Sequence, residues 1–301
     1  MAFIQRKVSV AITLANGNFQ GGGNSKTIAA QDTPDGIDTS APWISAHINS
    51  AGGVFGSQMQ LAIYGMSLSD ANQLSTVGKQ LFQMSTQNHV TVQAGDAQSD
   101  MQLVFSGNIS FAYVDAAAPP NVCLRILAVP GGAAAAQQAD PVSISGAGDL
   151  QTIMNGFASQ ISFGFEGNGV NKKIATPYLW GSVGAQIKQA AQAGGVEHIL
   201  DRDKLAIWEP GTARGLATVS LAPPQLIGYP AFSQADVMCK SIFNPQFQNG
   251  GTLALQSSLT PACGNWIIHS VQHNIEANMP NGKWETHIKA SWPGGAGSTT
   301  P

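Results

Sequence analysis

The residues of this chain that could do chemistry are few, and each set lacks a member. Gly21-Gly22-Gly23-Asn24-Ser25-Lys26-Thr27 ends in Lys-Thr, as a phosphate-binding loop does. That mechanism needs a glycine before the lysine, a strand before the loop and a helix N-terminus after it. Here Ser25 precedes Lys26, and Ile28 to Asp32 carries no amphipathic helical pattern, so the segment reads as a mobile hairpin loop. Cys239, Cys263, His269 and His273 could supply zinc ligands, but no Cys-x-x-Cys pair is present and the cysteine spacing fits no standard module. Buried thiols and hydrogen-bonded histidines are the ordinary reading. A nucleophile elbow of the Gly-x-Ser-x-Gly type is missing. The carboxylates are sparse, and Asp201 and Asp203 read as turn residues rather than the placed pair that glycoside hydrolysis requires. No catalytic, cofactor-binding or metal-ligating residue is therefore assigned.

Composition points away from a solitary enzyme. Hydrophobic residues make up 43% of the 301-residue chain, enough for a substantial core. Charged residues make up only 10%, against about 25% in ordinary soluble domains. Gln, Asn, Ser and Thr supply the polarity instead, which suits broad surfaces covered by neighbours, where a desolvated charge is costly. With 14 Lys+Arg against 17 Asp+Glu there is no basic footprint for nucleic acid, although near-neutral walls would let DNA slide past. Three cysteines make no disulfide framework. The N-terminus shows no signal-peptide pattern, and no stretch approaches the roughly 20 apolar residues of a membrane span.

The elements that would carry these residues are mostly strands. Val8, Val10, Ile12 and Leu14 share one face of a half-buried strand. A soft Gly/Asn/Asp-rich loop follows from Asn16 to about Ala41. Strands are expected over Trp43–Ile48, around Met59, Leu61 and Ile63, over Asn88–Ala94 and over Leu103–Asp115, where Gly107-Asn108 suggests a hairpin turn or a bulge. Ser69 to Phe82 breaks the alternation, with Ser69 as a cap and Leu74, Val77 and Leu81 at helical spacing. Pro130 to Pro141 reads as a linker. Beyond it, Asp149 caps a helix with an apolar stripe of Leu150, Ile153, Met154, Phe157 and Ile161, and a second helix runs from Ser182 to Ala193 and stops at Gly194-Gly195. A turn at Asp201–Lys204 leads to Leu205–Trp208, and later strands are expected over Asp236–Phe243, Thr252–Ser257, Trp266–Glu276 and Trp284–Ser291.

Several phrases resemble one family. LSTVGKQ (Leu74–Gln80), NHVTVQAGD (Asn88–Asp96) and VFSGNISFAYVD (Val104–Asp115) resemble the N-terminal tube-like domain of baseplate hub proteins of contractile-tailed phages. LAIWEPG (Leu205–Gly211), LIGYPAF (Leu226–Phe232), IFNPQFQNGGTLALQSSL (Ile242–Leu259) and ACGNWIIHSVQHNIEANMPNGKW (Ala262–Trp284) resemble its second half. The ordered set spans most of residues 1–292. The resemblance implies a mainly β fold with a small α/β module and two tail-tube-like β-barrel or sandwich domains. Residues 1–130 would form the first, 131–204 the linker and module, 205–293 the second, and 294–301 a disordered tail.

The resemblance also implies a role: a structural, non-enzymatic subunit of the virion tail baseplate, assembled in the host cytoplasm. Its partners would be itself in a ring (a trimer, with a hexamer left open), the tail tube protein, the spike protein and other baseplate or tape-measure proteins. DNA would pass through the lumen without specific binding, and the chain would not insert into a membrane. The Asn16–Ala41 loop is expected to touch a neighbouring subunit. Asn16, Phe19, Lys26 and Asp32, with Trp43 and Arg214, are the candidate interface residues. An extracellular cell-wall or carbohydrate-binding β-protein or hydrolase is the alternative.

Overall fold

The computed structural model describes residues 5–33, 38, 40–53, 56–75, 88–96, 100–117, 119–132, 136–175 and 177–293. The protein is mainly β with a small α/β module. It divides into two compact units, one of Met1–Ile48, Gln58–Ala133 and His273–Trp284, the other of Asn49–Ser57, Ala134–Gln272 and Glu285–Pro301.

The first unit is built on β1 (Arg6–Thr13), β2 (Ser25–Gln31), β3 (Trp43–Ala51, in this unit as far as Ile48), β4 (Ser57–Tyr64), β5 (His89–Asp96), β6 (Gln102–Asp115) and β7 (Cys123–Val129). Their order across the sheet is β2-β1-β5-β6-β7-β4-β3. Period-two patterning dictates the register. Val8, Val10 and Ile12 are fully buried, and their direct partners Ala94, Val92 and Val90 on β5 are buried with them. Each such side chain stabilises the fold by about 1.5–3 kcal/mol.

The expected loop from Asn16 to Ala41 is in large part a hairpin. Ser25–Gln31 pairs antiparallel with β1 from Thr13↔Ser25 to Lys7↔Gln31. The strand had no obvious apolar signature because its inward face carries Lys26, Ile28 and Ala30, and Lys26 breaks the pattern. Gly107-Asn108 is not a turn, because β6 runs straight through it. The glycine is there for close approach: a Cβ at 107 would lie 2.7 Å from the Val129 carbonyl oxygen. Register shifts fall on either side, between Val92 and Gln93 and between Ile109 and Phe111. Helix α1 (Leu68–Leu74) is capped by Ser67 rather than Ser69 and is closed by Ser75. Val77, Leu81 and the rest of that expected helix lie outside the described residues, as do residues 294–301.

The second unit holds the α/β module. Its strands are β8 (Val142–Ser143), β9 (Ala147–Asp149), β10 (Gly164–Glu166), β11 (Lys173–Ala175), β12 (Tyr178–Leu179), β13 (Glu197–Asp201) and β14 (Lys204–Trp208). Helix α2 (Leu150–Gln160) starts where Asp149 accepts from the Thr152 N–H at 2.8 Å, and buries Leu150, Ile153, Met154 and Phe157. Helix α3 (Val183–Gly194) is capped by Ser182 and ends on Gly195 in the left-handed region at φ 58°. Both packed faces join one apolar cluster with Leu200, Leu205 and Ile207. The β13–β14 hairpin turns on Arg202 and Asp203, both at positive φ, as a two-residue turn requires.

The unit's remaining strands are β15 (Val219–Leu221), β16 (Ala231–Phe232), β17 (Asp236–Ile242), β18 (Thr252–Leu255), β19 (Gly264–Ala277, in this unit as far as Gln272) and β20 (Trp284–Ser291). Val237, Cys239, Leu253, Leu255, Trp266, Ile268 and Ile288 share their core.

Candidate assembly surfaces

The β1–β2 hairpin leaves β2 at the end of its sheet. The Leu14 N–H donates to the Asn24 carbonyl and the Asp32 N–H to the Arg6 carbonyl, which fixes the phase of the ladder. Lys26, Ile28 and Ala30 therefore turn their backbone groups toward β1, while Ser25, Thr27, Ala29 and Gln31 turn theirs to the open edge. Proteins usually guard such an edge with a bulge, a proline or an outward charge. This one has no proline, its register with β1 is unbroken, and its one charge faces inward.

That charge has a defined destination. The Lys26 ammonium is paired with Asp70 of α1, whose carboxylate is 1% exposed. Asp70 also accepts from Ser67 Oγ at 2.7 Å and from the Gln20 N–H at 3.0 Å. Burial alone would raise the Asp70 carboxyl, but Lys26, Ser67 and the Gln20 amide overcome it and hold the group below the usual carboxylate range. The hairpin tip is held further by the buried Phe19 ring and by Asn88 Oδ1, which accepts from the Ala15 N–H at 2.9 Å. Asn16 is exposed beside this anchor.

Asp32, Asp38, Ala41 and Pro42 are held by Asn278, in the left-handed region at φ 57°. The Asn278 N–H donates to Asp32 Oδ1 at 2.9 Å, and its amide nitrogen donates to the carbonyls of Asp38, Ala41 and Pro42. Asp32 also pairs with Arg6 at 3.5 Å. Trp43 is half-buried, with its ring 6.0 Å from that of Tyr64. Thus five of the six candidate residues lie in the first unit: Asn16, Phe19 and Lys26 around the hairpin tip, Asp32 at its base, and Trp43 on β3.

Arg214 lies in the second unit and is buried, with its side chain donating to Glu166 at 2.7 and 2.8 Å. Lys204 reaches the same carboxylate at 2.8 Å. Burial would raise Glu166, but these two cations hold it low. Nearby, burial pushes the Asp201 carboxyl up despite Arg202, and pushes Arg202 down; Arg202 donates to the Pro245 carbonyl at 2.9 Å. Arg214 is thus engaged through Nε and Nη2 within its own unit, while its buried Nη1 has no hydrogen-bond partner.

The cysteines and histidines form no site. Cys123 and Cys239 are buried, burial pushes the Cys239 thiol up to about 12, and Cys263 is half-buried against Ser257. Among the described residues, no group of three or more His, Cys, Asp or Glu is placed to hold a metal ion. No helix among them is long and apolar enough to cross a membrane. The residues missed in the sequence are Asp70, Asn278 and the outward set Ser25, Thr27, Ala29 and Gln31. Only Asp70 had a local signal, the Ser67-x-x-Asp70 spacing of a capping box.

The comparisons with known proteins agree with one another. The fold is similar to a tail protein from Neisseria meningitidis (TM-score 0.60, 9% identity, covering 95% of this chain and 97% of that one). It is equally similar to a 43 kDa tail protein of prophage MuSo2 from Shewanella oneidensis (TM-score 0.58, 9% identity, 95% and 97%). A chain of a Francisella PdpA-VgrG complex matches at TM-score 0.51 and 9% identity; 98% of this chain aligns, and it spans 59% of that one. No curated protein sequence matches. The model of the family described as baseplate hub gp41 matches residues 43–281, which is most of the sequence. The chain therefore belongs to the baseplate hub gp41 family, structural proteins of the phage tail baseplate.

Proposed function

We propose that the chain forms a ring with copies of itself, a trimer in the first instance, that joins the tail tube to the spike and lines the DNA path. One observation carries the ring: β2 offers an unguarded edge of outward N–H and C=O groups at Thr27, Ala29 and Gln31, held ready by the Lys26–Asp70 anchor. Such an edge is satisfied by adding a strand, and a closed ring satisfies it in every copy at once.

The outward face beside that edge suits a DNA path. Ser9, Ala11, Thr13, Thr27, Ala29 and Thr91 keep most of it small and uncharged, with Lys7 as a cation at the end opposite Gln31. Phosphates meeting such a wall release few counterions, so DNA is not retained. In this reading residues 1–130 and 205–293 are two tube-like domains, and 131–204 is the module between them. Asn16 borders the contact, Phe19, Lys26 and Asp32 hold the hairpin that makes it, Trp43 supports the same unit, and Arg214 stiffens the second. The likeness to a chain of a PdpA-VgrG complex supports a spike-type partner, with the tube and tape-measure proteins as the other neighbours.

Thr27→Pro and Ala29→Pro test the ring. Each removes an outward N–H and leaves the β1 ladder intact. The expected result is a folded chain by circular dichroism with its oligomer lost in native mass spectrometry. Normal assembly of both variants, or a wild-type chain that stays a single copy at all concentrations, would refute the reading.

A further inference from the structure

An asparagine followed by glycine is open to self-modification, because the glycine offers its backbone nitrogen to the asparagine side chain with no Cβ in the way. The sequence holds five such pairs: Asn16-Gly17, Asn155-Gly156, Asn168-Gly169, Asn249-Gly250 and Asn281-Gly282. The reaction needs the side-chain amide and the glycine N–H to be free together, and the structure decides where they are.

Most of the pairs are held. Asn155-Gly156 lies inside α2, where the helix ladder takes the glycine N–H back to the Thr152 carbonyl. The Asn168 side chain donates to the Ile207 carbonyl at 2.9 Å and accepts from the Gly215 N–H at 3.1 Å. Asn249 is buried, its amide donates to the His269 carbonyl at 2.7 Å, and the Gly250 N–H donates to the Ile268 carbonyl at 2.7 Å. Asn281 is exposed, but the Gly282 N–H donates to the Met279 carbonyl at 3.1 Å and Arg6 fixes the Gly282 carbonyl at 2.7 Å. Asn16-Gly17 is different. Both residues are exposed, and among the described residues neither the Asn16 amide nor the Gly17 N–H makes a hydrogen bond. The anchors of this stretch fall on either side, at the Ala15 N–H and the Gln20 N–H. Gly17 stands at φ 85°, where a Cβ would meet only Gln73 Oε1, at 3.8 Å, so the pair is uncrowded.

The geometry points to Asn16 as a site of spontaneous deamidation, with water as the co-reactant. The Gly17 nitrogen attacks Asn16 Cγ and forms a C–N bond, and the side-chain amide leaves as ammonia with the proton that the nitrogen gives up. Water then opens the cyclic imide: cleavage at Cγ gives aspartate, and cleavage at the main-chain carbonyl gives isoaspartate. Nothing is oxidised or reduced. Ala15 to Ser25 carries no charged side chain, so the product gives that stretch its first charge. The assignment is independent of the ring reading.

The test incubates the full chain, folded, at mildly alkaline pH and follows every Asn-Gly pair by peptide mapping with mass spectrometry, which separates aspartate from isoaspartate. Asn16 is expected to convert about tenfold faster than each held pair, the factor by which a protecting hydrogen bond and its local opening slow the step. In urea, where those bonds are gone, the pairs should convert at similar rates, and Asn16→Gln should remove the fast phase from the folded chain. A held pair that converts as fast as Asn16, an Asn16 that keeps its amide while the urea-unfolded chain converts it, or a fast phase that survives Asn16→Gln overturns the assignment.

Discussion

Replacing Asp70 by alanine tests the anchor on which the hairpin depends. The carboxylate is 1% exposed and serves three donors: Lys26, Ser67 Oγ at 2.7 Å and the Gln20 N–H at 3.0 Å. Breaking a buried ion pair from one side costs about 3–5 kcal/mol. The Lys26 side chain is 34% exposed and can turn its ammonium to water, which lowers the figure toward that of a surface pair. The lost bonds to Ser67 and Gln20 restore part of it, so Asp70→Ala is expected to cost about 3 kcal/mol. Lys26→Met should cost about as much by leaving the carboxylate buried without its cation, and the double variant should cost about 2 kcal/mol less than the sum. Amide hydrogen exchange reads this locally, because Gln20 should lose protection while Val10 and Val92, deep in the sheet, keep theirs. A loss below about 1 kcal/mol, additivity of the two changes, or an unaltered Gln20 amide would refute the argument.

Two other groups make separable predictions. His198 is held neutral by burial, and secondarily by Lys188, with its pKa lowered to about 4. Between its unfolded value of 6.5 and 4 the unfolded chain takes up a proton that the folded chain does not. Stability should therefore fall on acidification through that window, by up to about 3 kcal/mol, and His198→Asn should flatten the urea-midpoint profile there. The lowered Asp70 carboxyl acts further down the same acid limb, since its contribution is present above 3.8 and is lost only as pH falls below it. Asn278→Ala loses the bonds to Asp38, Ala41 and Pro42 and strains a left-handed residue, for about 3 kcal/mol by thermal melting; Asn278→Gly should be milder by about 1 kcal/mol.

Much of the fold was legible because periodicity is a local signal. Val8 to Leu14 alternates, and every second residue is buried. Asp149 and Ser182 cap where their side chains can reach, and Asp201–Lys204 turns because two residues at positive φ suffice. What failed was whatever a distant partner decides. Strand β2 was hidden because Lys26, on its inner face, is explained only by Asp70, 44 positions away. Arg214, a candidate interface residue by sequence, is buried, and its partner Glu166 lies 48 positions off. The choice between Ser67 and Ser69 as cap was different: Asp70 stands three residues after Ser67, so that evidence was local.

The scarcity of charge and the geometry then explain one another. Of the 14 lysines and arginines, Arg6, Lys26, Arg125, Lys172, Arg202, Lys204, Arg214 and Lys240 are already in ion pairs with carboxylates inside the chain. The one cation of β2 is therefore matched inside the chain, and the open edge of that strand presents no unmatched charge. Burying such surfaces against a neighbour carries little desolvation penalty, whereas leaving them in water gives up little electrostatic hydration and retains the tendency to associate. A surface of that kind is a liability for a protein that works alone. It suits the proposed ring, in which each copy would be covered by its neighbours.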